Sequence, residues 1–274
     1  LMFNTKHSGI KKPEFGDSIQ EQLNSINNNR FKIMTSEIVT EFSGDINGVK
    51  SVKTGTGKVF DTDFVVLCTG ATQNVEIAKD AGIDLGVTGA IKVNEKMETS
   101  IKDVYACGDC VEEHLVVSNS KIWLPLGSNA NKEGRTAAIN ACGGGVAAGA
   151  KAAAKARRLL PDAEIDLYTD DTHISYSSCG LPYYIEGNFE DYKLLLVVSP
   201  EEFEKKNVHV HLKNRAVKII PEAKQVLIQD LTTQRAYLVD YDKLIIAIGA
   251  RPIIPKIKNL PSVSIIPILS LSPS

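Results

Sequence analysis

Apolar positions along the chain fall into two kinds of run, continuous and alternating. The continuous runs predict strands buried on both faces. They are Phe64-Val-Val-Leu-Cys-Thr-Gly70, the stretch 99–110 around Val104-Tyr-Ala-Cys107, and Leu244-Ile-Ile-Ala-Ile-Gly249, and each of the three reaches a glycine near its end. Looser alternation predicts strands over 31–42, 164–168, 208–212, 216–220 and 225–230. Residues 49–60 read as a hairpin turning at Gly55 and Gly57. Helical spacing marks 17–27, 128–141, 150–160 and 200–206, with Ser128 or Asn129 placed to cap the second and Pro161-Asp162 breaking the third. Residues 1–16 are polar, and the chain past Arg251-Pro252 is proline-rich and irregular. Helices mixed with buried strands and hairpins define an α/β class with antiparallel β additions.

Composition narrows the function classes. The chain has 274 residues, 43% hydrophobic and 23% charged, with a net charge of −2. That mix excludes wholesale disorder, a collagen-like chain and a coiled coil. Without a basic run, no nucleic-acid partner is expected. The apolar stretch 263–269 is short and interrupted by Pro267, so no spanning helix and no membrane partner are expected. The first residues lack the layout of a signal peptide. The five cysteines, Cys68, Cys107, Cys110, Cys142 and Cys179, are too sparse for a disulfide framework. A reduced, cytoplasmic protein is the expectation.

Four features carry chemistry. Gly144, Gly145 and Gly149 stand before a predicted helix, and Gly143-x-Gly145-x-x-Ala148 fits the looser dinucleotide spacing. Glycines let a pyrophosphate approach the backbone, and free N–H groups at a helix start attract its charge. The same residues also suit a packing corner. Asp170 or Asp171, about 20 residues on, stands where an acid accepts from a ribose hydroxyl, or serves only as a turn residue. Gly108-Asp109 ends a buried strand, the sheet edge where ligands bind. Cys107 and Cys110 have redox C-x-x-C spacing, but no thioredoxin-like pattern surrounds them. Cys179 lies in Ser-Ser-Cys-Gly-Leu-Pro-Tyr-Tyr184, just past the predicted nucleotide strand. A nearby helix start would lower its thiol pKa, and no second cysteine follows it. His209 and His211 share a strand face without a third ligand, so no metal site is expected.

On these residues the chain resembles the FAD-dependent pyridine nucleotide–disulfide oxidoreductases. It looks closest to the single-cysteine coenzyme A-disulfide reductases, with NADH oxidases and peroxidases as relatives. The resemblance implies a Rossmann-like FAD-binding domain and NAD(P)H as electron donor. Cys179 would exchange with coenzyme A disulfide, or cycle through a sulfenic acid in the oxidase and peroxidase reading. A non-catalytic nucleotide-binding remnant is the rival outside enzymes. The resemblance implies that Gly144, Gly145 and Gly149 hold the pyrophosphate, Asp170 the ribose, and Gly108 and Asp109 the ribityl chain. Pro125, Leu126 and Ala130, in Pro125-Leu-Gly-Ser-Asn-Ala130, would bring a helix start to the flavin edge. Val217, Ala247 and Gly249 complete the implied contacts. Ile248 and Thr169 stand where the family has Thr and Glu.

The family order is permuted here. Residues 1–70 resemble part of an NAD(P)H-binding domain, 71–142 the second half of the FAD domain, 143–260 its first half with the redox cysteine, and 261–274 an irregular tail. On this resemblance an incomplete donor site and no dimerisation domain are expected. A physical conflict sits at the junction. A pyrophosphate loop needs a strand before it, yet Thr136-Ala-Ala-Ile-Asn-Ala-Cys142 ends a helix by pattern, and its alanines favour helix. If helix forms, the sheet lacks its central strand.

Overall fold

The computed structural model describes Met2–Phe3, Ile33–Met34, and residues 37–142 and 149–259 other than 46, 68, 116, 117, 175, 176, 178 and 179. The expected helix over 17–27, Cys68, Gly144, Gly145, Cys179 and the tail 261–274 lie outside the described residues. The chain divides into two compact units, one of residues 1–70 and 252–270, the other of residues 71–251 and 271–274.

In the first unit, β1 (Met2–Phe3) pairs in parallel with β2 (Ile33–Met34). An antiparallel meander follows, built from β3 (Val39–Asp45), β4 (Gly48–Thr54) and β5 (Val59–Asp61). The β4–β5 hairpin turns at Gly55 and Gly57, as its sequence predicts. Gly57 takes φ +86°, a left-handed conformation that suits glycine, and the Thr54 and Gly57 amides close the turn onto Lys58 O and Thr54 O. Phe42, Val49 and Val52 form the buried core, with Val39, Phe60, Leu67 and Ile257 packed against it.

The run 64–70 is not the buried strand that its pattern predicts. Residues 64–67 form neither strand nor helix, and Phe64 is 75% exposed. A continuous apolar run suits a strand whose two faces are both covered, as helices cover a parallel sheet. The described residues of this unit form an antiparallel meander and include no helix to cover one.

The second unit begins with β6 (Ala71–Gln73) and α1 (Glu76–Asp80), then β7 (Val104–Ala106), whose three residues are all buried. A hairpin of β8 (Glu113–Leu115) and β9 (Ser120–Ile122) leads to α2 (Gly127–Cys142). Helix α3 (Gly149–Leu159) precedes β10 (Asp166–Tyr168) and the short α4 (Leu181–Ile185). Helix α5 (Pro200–Glu204) is capped by Ser199, whose hydroxyl accepts from the Glu202 amide. Strand β11 (His209–His211) pairs in parallel with β10. Strands β12 (Asn214–Ile220), β13 (Gln225–Asp230) and β14 (Ala236–Asp240) form an antiparallel sheet, with a register shift between Ala216 and Lys218. Strand β15 (Leu244–Ile246) then returns to pair in parallel with β7.

The largest core cluster joins Ile91, Val104, Ala106, Ile219, Ile228 and Ile246. Gly134, Ala137, Ala138 and Ala141 form one buried stripe of α2 at helical spacing. Such small residues let the helix lie close on β7 and β15, which it contacts. The junction conflict resolves as helix, because α2 runs through Cys142. The second unit therefore holds two separate parallel pairs, β7–β15 and β10–β11, and α2, not a strand, runs directly into the glycine segment.

Candidate functional site

The turn after β7 is the best-defined part of the site. Gly108 sits at φ +79°, and its N–H donates to Glu133 Oε2 at 2.8 Å. This bond ties the strand end to the first turns of α2. A Cβ placed on Gly108 would lie 3.6 Å from the Ala130 side chain, so α2 approaches the turn closely. Asp109 follows, partly buried, and burial pushes its carboxyl pKa upward. Its carbonyl oxygen accepts from Trp123 Nε1 at 2.8 Å. Gly108, Asp109 and Ala130 thus come together at this turn. Pro125 and Leu126 lead into α2 and are exposed. The first turn of α2 carries no acidic side chain, so the positive end of its dipole is open to an electron-rich ligand.

Glu133 is a site residue that the sequence reading does not single out. Burial, with Glu113 and Asp109 nearby, raises its pKa to about 7. Glu113 in turn accepts from Asn129 Nδ2 at 2.9 and 3.1 Å. The signal was present in Asn131-Lys-Glu-Gly-Arg135, where the acid is next to the small face of the helix. Only the fold shows that this acid meets the Gly108 amide.

This shift fixes the sign of a pH effect. The folded protein holds the Glu133 proton up to about pH 7, against an ordinary value of 4.5. The folded state therefore binds more protons across that window, and stability falls as pH rises through it. Glu133→Gln keeps an acceptor for the Gly108 amide and removes the charge. Its stability relative to the parent is expected to increase from pH 4.5 to pH 7.5 in urea unfolding. A difference that stays flat with pH contradicts the assignment.

At the end of β15, Ala247 is exposed and Gly249 has φ +61°. The Gly249 carbonyl accepts from the Asn74 amide at 3.0 Å, and Ile248 O accepts from Asn74 Nδ2 at 2.7 Å. Arg251 binds Asn74 Oδ1 and both oxygens of Glu76, holding the Glu76 pKa at about 2. Val217 lies on β12 at the register shift and is 41% exposed. Asp170 is exposed and pairs with Arg215 Nε at 3.1 Å, so a ribose would compete with that guanidinium. Asp171 is satisfied locally by the Thr172 and His173 amides.

Helix α3 starts at Gly149, also without an acid in its first turn. Its buried Ala152, Ala153 and Ala156 let it pack on α2 and β10, both of which it contacts. A dinucleotide cradle normally joins strand, glycine turn and helix. Here α2 stands in the place of the strand. The α2 side of the site fits a flavin with its ribityl chain, whereas the pyrophosphate side has its helix without its strand.

The remaining candidates have ordinary partners. His209 pairs with Glu204 at 3.4 Å, and His211 with Asp166 at 2.6 Å while stacking on Tyr168. Cys107 and Cys110 are both buried. Burial pushes the Cys110 thiol up to about 12, and its sulfur lies 3.3 Å from Cys107 O. A protonated, covered thiol is a poor nucleophile. Iodoacetamide near neutral pH is expected to label Cys179 well before Cys110, read by peptide mass spectrometry. Early labelling of Cys110 would return the C-x-x-C reading.

The sequence profile of the pyridine nucleotide-disulphide oxidoreductases matches residues 7–134 and 142–267. The chain belongs to that family, whose members combine FAD with NAD(P)H. Among its relatives, the NAD(P)H coenzyme A polysulfide/persulfide reductase of Pyrococcus horikoshii is 38% identical over 130 residues, 47% of this chain and 28% of that protein. The coenzyme A disulfide reductase of Staphylococcus haemolyticus is 35% identical over 108 residues, 39% of this chain and 24% of that protein. A solved NAD-dependent persulfide reductase from A. fulgidus is 36% identical, with a TM-score of 0.42, covering 48% of this chain and 23% of that one. The chain spans less than a third of the length of these relatives. Among the described residues no helix is long and apolar enough to cross a membrane.

Proposed function

We propose that this chain is a flavin-binding portion of an NAD(P)H-dependent disulfide oxidoreductase, with Cys179 as its exchanging thiol. The observation that carries the reading is the joining of the Gly108-Asp109 turn to the start of α2 through Glu133. That arrangement offers a partly buried carboxylate to hydroxyl groups and a helix start to an electron-rich ring. Bound FAD would supply a two-electron carrier between a nicotinamide and a disulfide. The chain's own residues then orient and exchange. Asp109 would accept from ribityl hydroxyls, and the amides at the start of α2 would lie toward the ring edge. The Cys179 thiolate attacks one sulfur of coenzyme A disulfide, so one S–S bond forms, one breaks, and a coenzyme A thiolate leaves.

The relatives named above act, by their names, on coenzyme A disulfide or on coenzyme A polysulfide and persulfide, which supports this substrate class. A second reading is a flavin-binding protein without turnover, and the helical ending of α2 before the glycine segment favours it. Incubation with coenzyme A disulfide tests the exchange step. Intact and peptide mass spectra are expected to show one coenzyme A adduct, on Cys179, released by dithiothreitol. An adduct spread over several cysteines, or none, overturns the assignment.

A further inference from the structure

Two features of this chain match each other, and among the described residues neither has a strand partner. The first is the run Phe64-Val-Val-Leu67. Its sequence is that of a central parallel strand, yet Phe64 is 75% exposed and Val66 54%, while Val65 is also exposed. Among the described residues, its backbone receives one hydrogen bond, from Thr62 Oγ1 to Phe64 O. The second is the free edge of β15. The Leu244 amide bonds to Asp103 O, and Ile246 O accepts from the Cys107 amide, so Leu244 and Ile246 face β7. In a parallel ladder the residue between them points its N–H and C=O the other way. Ile245 therefore presents both groups on the edge away from β7, and no described strand takes them.

We propose that residues 64–67 of one molecule add as a parallel strand to the β15 edge of a second molecule. The pairing suits both sides. The donor needs a parallel neighbour and cover on both faces. The acceptor is parallel already, with α2 on one side of the β7–β15 pair and the main core cluster on the other. The other open parallel edge, that of β10, fits worse. The groups pointing away from β11 belong to Asp166 and Tyr168, by the same alternation, and Asp166 is an exposed acid paired with His211. A chain of four apolar residues favours the apolar edge. Because donor and acceptor are different surfaces, the contact is heterologous, and unless it closes into a ring it propagates into open oligomers. Strand addition of this kind draws affinity from main-chain hydrogen bonds and specificity from alternate side chains.

Sedimentation of the full chain across the micromolar range tests the proposal. The weight-average mass is expected to rise with concentration above the 29.8 kDa of one chain. Val65→Pro keeps the segment apolar but removes an amide and the strand conformation. It is expected to abolish the rise, whereas Val65→Ile leaves it intact. Residue 65 is exposed, so neither change disturbs the fold, and circular dichroism should confirm this. Hydrogen exchange of the parent at low and high concentration reads the acceptor, and the Ile245 amide should slow together with 64–67. A chain that remains one molecule at every concentration overturns the proposal. So does growth that Val65→Pro leaves unchanged, or protection of 64–67 without protection of Ile245.

Discussion

At millimolar NADH or NADPH, flavin bound to this chain is expected to be reduced more slowly than about 1 s⁻¹, the low end of ordinary turnover. Dithionite, which needs no binding site, is expected to reduce the same flavin fully. Hydride transfer requires the nicotinamide carbon to be held about 3–3.5 Å from its acceptor. That positioning comes from a second dinucleotide site with its own strand, glycine turn and helix. The glycine segment before α3 is proposed for the flavin, which leaves none for a nicotinamide. Among the described residues of the first unit there are a short parallel strand pair and an antiparallel meander, with no helix opening on a glycine turn. Stopped-flow absorbance with both donors is the measurement. A rate well above the stated limit shows a donor site elsewhere in the chain.

Phe42→Ala is expected to unfold the first unit and spare the second. Phe42 is 1% exposed, and among the described residues the buried core around it adds Val49 and Val52. Truncating a buried phenylalanine costs about 3–5 kcal/mol. That is as much as a core this small contributes. The second unit has a separate cluster around Ile91, Val104 and Ile228 that does not include Phe42. Limited proteolysis followed by mass spectrometry should cut the variant within 37–61 at least tenfold faster. The rate of cutting within 76–142 should not change. Equal acceleration in both regions, or none, contradicts the division into units.

What the sequence revealed and what it concealed have physical causes. Strand β7 was legible because Val104-Tyr-Ala106 is apolar and its partner β15 is equally apolar. Helix α2 was legible because its alanines favour helix and its small face repeats at the helical period. The run 64–67 misled, because a pattern reports what a segment needs and not whether a neighbour exists to provide it. Helix α1 escaped, being five residues long with no capping side chain at its start. The β8–β9 hairpin and β14 escaped as well. Alternation in Ala236-Tyr-Leu-Val-Asp240 is weak, and its residues are largely exposed. Within the site, Gly108 and Asp109 were legible as a strand ending on a glycine turn. Glu133 was not, since its role arises from an approach between residues 25 positions apart.

Titration of the purified chain with FAD, followed by flavin fluorescence and visible absorbance, decides whether the Gly108-Asp109 turn and the start of α2 form a flavin site. Saturable uptake of one FAD per chain at micromolar concentration is expected. Asp109→Ala should weaken it about tenfold or more, the loss of a charge-assisted hydrogen bond worth about 1.5–3 kcal/mol. A chain that takes up no FAD at these concentrations contradicts the account, and so does uptake that Asp109→Ala leaves unchanged.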